Sequence, residues 1–87
     1  MRSKKRLLVK PQSTKNRIRF DDLAPDGVRI LVDWSRFTVG SSVFVPAIDT
    51  TELIGQFQSI ANYYNWEIDY RYRVEGGRQG LRFWRLV

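Results

Sequence analysis

Cysteine and histidine are both absent from the 87-residue chain. Without cysteine there is no disulfide framework, no thiolate metal site and no cysteine nucleophile. Without histidine the usual general base, the Ser-His-Asp arrangement and the commonest zinc ligand are gone, and most hydrolase chemistry goes with them. No apolar run approaches the roughly 20 residues that span a bilayer, and the first residues lack the apolar stretch of a secretory signal. These absences predict a soluble, cytoplasmic, non-enzymatic protein with no cofactor, no metal site and no membrane partner.

What remains is enough apolar material for one small core. Hydrophobic residues make up 43% of the chain and aromatics 14%, which supports a single domain and is too little for two. The net charge of +6 is unevenly spread. Residues 1–19 carry eight of the 15 basic residues, namely Arg2, Lys4, Lys5, Arg6, Lys10, Lys15, Arg17 and Arg19, and none of the nine acids. Positions 20–87 are left with seven basic and nine acidic residues, a net −2. This division predicts a basic, flexible N-terminal arm over 1–19 and a mildly acidic domain over 20–87. Within the arm, Leu7, Leu8 and Val9 could dock as a short extended piece.

Along the domain, the turn signal Pro25-Asp26-Gly27 precedes Val28, Ile30 and Val32, whose alternation predicts a first strand over 28–33. A turn at 39–41 leads to a second strand over 42–45, stopped by Pro46. Asp49 and Glu52 have the spacing of a capping box. Leu53, Ile54, Phe57, Ile60, Ala61 and Tyr64 then recur at helical spacing, predicting an amphipathic helix over about 50–64, with Gln56, Ser59, Asn62 and Tyr63 on its exposed side. From 66 to 75 the period becomes two: Trp66, Ile68, Tyr70, Tyr72 and Val74 alternate with Glu67, Asp69, Arg71, Arg73 and Glu75. A glycine-rich turn over 76–80 returns the chain as a last strand over 81–87. The expected fold is α+β, a small antiparallel sheet in the order β-β-α-β-β with one helix packed on one face.

Several motifs have an ordinary reading. The 76–80 turn has no following helix and no Gly-Lys-Ser/Thr element, so it reads as a hairpin loop and not as a phosphate loop. Asp21, Asp22 and Asp26 flank a turn without calcium-loop spacing and read as solvated carboxylates. The helix holds no lysine or arginine, which argues against insertion in a major groove.

Two features point to a polyanion. Eight uncompensated charges in the arm serve no core purpose, although a solubilising tail, an organelle-targeting peptide and a membrane-surface segment share that composition. The C-terminal hairpin combines Tyr70, Arg71, Tyr72, Arg73, Arg82, Phe83, Trp84 and Arg85, residue types that stack on bases and contact phosphates. Arg71, Arg73 and Arg82 are its candidate nucleic-acid contacts. The competing reading makes the aromatics core and pairs Arg71 and Arg73 with Glu67, Asp69 or Glu75.

The stretch Trp34-Ser-Arg-Phe-Thr-Val39-Gly40-Ser41-Ser42-Val43-Phe44-Val45-Pro46, followed by a helix and a closing Arg82-Phe83-Trp84-Arg85, resembles a group of small phage-encoded proteins. Those carry a tryptophan, a Val-Gly-Ser-Ser-Phe-Phe-Val-Pro-like stretch, a helix and a terminal Arg-x-Trp-Arg. The resemblance covers residues 34–87 and implies a phage protein made in a host bacterial cytoplasm; it carries no catalytic residues. The expectation is therefore a small phage-type nucleic-acid-binding protein, largely sequence-nonspecific, with DNA or RNA as partner. The alternative is an effector of host takeover that binds and inhibits a host protein such as a nucleic-acid-processing machine.

Overall fold

The computed structural model describes residues 21–87. The arm and its basic residues, as well as Leu7, Leu8 and Val9, lie outside the described residues. The helical spacing yields α1, Thr50–Tyr64. The Asp49 side chain accepts the Glu52 N–H at 3.0 Å, satisfying one of the orphan donors at the helix start. The other half of the expected capping box is replaced: the Asp49 N–H donates to Asp26 Oδ1 at 2.8 Å, and Glu52 accepts from Gln56. Asn65 ends the helix in the left-handed conformation at φ 62°, and Trp66 N–H donates back to the Ala61 carbonyl.

Among the described residues three strands make one antiparallel sheet: β1, Ser42–Pro46; β2, Ile68–Glu75; and β3, Arg78–Arg85. The spatial order is β1-β3-β2, so the last strand lies in the middle. Val43 lies opposite Phe83 and Val45 opposite Leu81 on one face. That face meets Leu53, Phe57 and Ile60 of α1 in a buried core joined by Leu23 and Phe37. Phe57 stacks on Phe83 with ring centroids 3.7 Å apart.

The fold is α+β as expected, but its strand order is β-α-β-β. The expected strand over 28–33 does not form. Its alternation holds for Ile30 and Val32, which pack against the core, but not for Val28, which is exposed; among the described residues the backbone makes only one bridge, Leu23 with Ile30, across the Pro25-Asp26-Gly27 turn. A strand requires a ladder partner, and this segment docks as a loop through side chains instead. A three-residue 3-10 turn, Trp34–Arg36, follows it.

The glycine turn is shorter than expected. Gly76 and Gly77 alone form it, at φ 60° and 77°, the positive values that a tight two-residue hairpin turn needs. Arg78, Gln79 and Gly80 already belong to β3. Gly80 sits against Pro46 where a Cβ would collide with the Val45 carbonyl oxygen and the Pro46 Cα. Gln56 also departs from expectation. It is half-buried, its Oε1 accepts the Ala24 N–H at 2.8 Å, and its Nε2 donates to the Ala24 carbonyl at 3.2 Å.

Candidate functional site: the open face of the sheet

Strand alternation sends the residues between the core positions to the other side of the sheet. The register arranges them in cross-strand rows. Ser42, Trp84 and Asp69 form one; Phe44, Arg82 and Arg71 the next; Pro46, Gly80 and Arg73 the third; and Arg78 lies opposite Glu75 at the hairpin end. No side chain on this face is buried among the described residues.

The hairpin residues singled out from the sequence therefore divide by parity. Arg71, Arg73, Arg82 and Trp84 share the open face. Tyr70, Tyr72, Phe83 and Arg85 belong to the helix side: Phe83 is fully buried, and the Arg85 guanidinium donates to the Phe37 carbonyl at 2.9 Å and lies over Trp66. Tyr70 and Tyr72 are nevertheless exposed. Phe44 is not singled out in the sequence, and Arg78 reads there as part of an ordinary hairpin loop. The period-two pattern places Phe44 between the core residues Val43 and Val45, but assigning Arg78 required the cross-strand register.

The electrostatics of this face are concentrated. Arg71 lies directly opposite Arg82, a like-charge juxtaposition that costs stability in a sheet. Arg82 is turned toward Glu75, to which it donates two hydrogen bonds at 2.8 and 2.7 Å, and it also donates to Ser42 Oγ at 2.8 Å. The bond from Arg82 holds the Glu75 carboxyl below its ordinary value, and the same bond raises Arg82. Arg73 sits 3.7 Å from Glu75 and 6.0 Å from the Trp84 ring centroid, within reach of a cation–π contact. Arg71 and Arg78 are exposed and form no salt bridge among the described residues.

Charge is also segregated on a larger scale. Residues 68–87 hold five arginines and two acids, net +3, whereas residues 21–67 hold two arginines and seven acids, net −5. The acids of the remainder have structural uses: Asp26 accepts the N–H groups of Ile48 and Asp49, which lowers its pKa, and Asp22 pairs with Arg29 at 3.3 Å. Among the described residues no group of three or more acidic side chains gathers to hold a metal. No described helix is long and apolar enough to cross a membrane.

A cleft of about 320 Å³ runs between residues 30–33 and β1. Ile30, Leu31, Val32, Val43 and Phe44 give it an apolar lining, with Arg36 as its basic residue. No family model matches the chain, and neither a curated protein nor a solved structure matches it.

Proposed function

We propose that this chain is a non-enzymatic nucleic-acid-binding protein that holds the phosphate backbone through its basic arm and the open sheet face. The observation that carries the reading is the set of Arg71, Arg73, Arg78 and Arg82 spread along a face that also presents Trp84 and that no described element covers. An Arg71–Arg82 juxtaposition is unfavourable for an isolated sheet and is relieved when phosphates lie between the guanidinium groups. Trp84 offers a ring on which a base can stack, an interaction indifferent to base identity. The arm contributes long-range attraction, and Arg2, Lys4, Lys5, Arg6, Lys10, Lys15, Arg17 and Arg19 are its contacts in this reading. The absence of histidine and cysteine supports a binding role over a catalytic one.

The test is a binding titration of the full chain against single- and double-stranded DNA and RNA over a range of salt. Each phosphate contact on duplex DNA contributes about −0.9 to the slope of log affinity against log salt, so four to six contacts give roughly −4 to −5. Neutralising Lys4, Lys5 and Arg6 together should flatten that slope by up to about 3 and weaken all sequences alike. Arg71→Gln with Arg73→Gln should flatten it by up to about 2, and Trp84→Ala should weaken single strands more than duplexes. Absence of salt-dependent binding to every nucleic acid at low ionic strength overturns the reading. A nuclease-resistant protein partner from bacterial lysate would put the host-protein effector in its place.

A further inference from the structure

The two edges of the sheet are built differently. The outer edge of β1 is five residues long, ends in Pro46 and lies beside the 30–33 segment. β2 is eight residues long, contains no proline, glycine or lysine, and keeps an unbroken register with β3 from Ile68 to Glu75. It has none of the bulges or prolines that usually blunt a strand edge.

The direction of its backbone groups follows from the sheet end. Leu86 and Val87 donate their N–H groups to the Glu67 carbonyl, and the Glu67 N–H donates to the Val87 carbonyl, so Glu67 faces β3. By alternation Ile68, Tyr70, Tyr72 and Val74 turn their N–H and C=O groups to the open edge. Among the described residues the Tyr70 N–H is met there only by its neighbour's carboxylate, Asp69 Oδ1 at 2.9 Å. On the helix side of the same strand, Tyr72 and Val74 leave 59% and 63% of their surface exposed.

We propose that the β2 edge pairs with β2 of a second copy of this chain, antiparallel about a two-fold axis through Tyr70, making a continuous six-stranded sheet. The charge pattern selects this occupant and this register. Centred on Tyr70, Asp69 lies opposite Arg71 of the second copy and Glu67 opposite its Arg73, and the two-fold axis repeats both pairs. Four opposite-charge pairs form and no like-charge pair does. Centring on Tyr72 would instead set Arg71 against Arg73 and Asp69 against Glu75, and centring on Arg71 would set that arginine against itself. In the Tyr70 register Ile68 covers Tyr72 of the other copy and Trp66 covers its Val74, removing exposed apolar surface from water. Tyr70 exchanges its N–H bond to Asp69 for one to the backbone of the second copy, freeing Asp69 for Arg71. The two open faces then lie side by side, a geometry independent of whether nucleic acid binds there.

The experiment is sedimentation equilibrium of the nuclease-treated full chain, where a dimer has twice the 10.3 kDa of the monomer. Asp69→Arg and Arg71→Asp each turn attractive cross-copy pairs into repulsive ones and should weaken self-association about tenfold. The double variant, Asp69→Arg with Arg71→Asp, restores opposite charges across the axis and should return it to near the original value. Circular dichroism melts of each variant establish that the fold is retained. A monomer at all concentrations overturns the proposal, as do a dimer unaffected by the single changes and a double change that fails to restore association. None of these outcomes bears on nucleic-acid binding, which is measured separately.

Discussion

Phe57 shows how much one side chain can decide in a core this small. It is fully buried, stacks on Phe83, and meets Phe37 and Trp34 edge to face. Phe57→Ala should cost about 3–5 kcal/mol in urea unfolding, whereas Ser59→Ala on the exposed side of α1 should be within about 0.5 kcal/mol of the parent. Gln56 is the less obvious case. Its amide satisfies both the N–H and the carbonyl of Ala24, so Gln56→Ala should cost about 1–3 kcal/mol by leaving those groups unpartnered. Two carboxyls carry a pH dependence. Asp26, held by two backbone N–H groups, and Glu75, held by Arg82, both lie below their ordinary values of 3.8 and 4.5. Their contribution is complete above those values and is lost as pH falls through the lowered ones. Stability should therefore decline on acidification below about pH 4.5, and Glu75→Gln should make that decline shallower in pH-dependent melts.

At the scale of elements, the β1–β3 contact depends on the absence of a side chain. Gly80 allows β3 to approach the backbone of Val45 and Pro46, and the atoms that a Cβ would strike are themselves backbone. They cannot rotate aside, so Gly80→Ala should destabilise by about 1–3 kcal/mol or more, read from the shift in denaturant midpoint. The same change should disturb the rows on the open face, because Arg73 lies directly opposite Gly80. Helix α1 was legible from its spacing because its apolar stripe and Asp49 cap are local signals. The segment 28–33 carried an equally regular alternation and became a loop. Strand formation depends on a neighbour with free hydrogen-bonding groups, and no run of side chains encodes that neighbour.

For the whole molecule, the core formed by the described residues extends from Leu23 to Phe83. Removing residues 1–16 should accordingly leave cooperative unfolding little changed while reducing nucleic-acid affinity and its salt slope. A large loss of stability would show that Leu7, Leu8 and Val9 contribute to the core. Charge segregation also acts at this scale. With the arm the chain is strongly basic, but without it the domain combines a positive hairpin with an acidic remainder. A polyanion is therefore expected to meet the hairpin face in preference to the end that carries Asp22, Asp26 and Asp49.

By itself the sequence determined the α+β class, the helix with its cap, the hairpin, and the concentration of basic charge in residues 1–19. Each of these follows from short-range periodicity, turn chemistry or a count of charges. The parity of β2 also allowed Arg71 and Arg73 to be separated from Tyr70 and Tyr72. Only the tertiary structure decided that β3 lies between β1 and β2 and that Arg82 faces Arg71. It also decided that Gln56 belongs to the loop at Ala24 and that β2 is the long outer strand among the described residues. Those outcomes depend on which strands share hydrogen bonds across distant parts of the chain. The physical reason is that a backbone N–H is the same group in every residue, so pairing is settled by the whole packed arrangement.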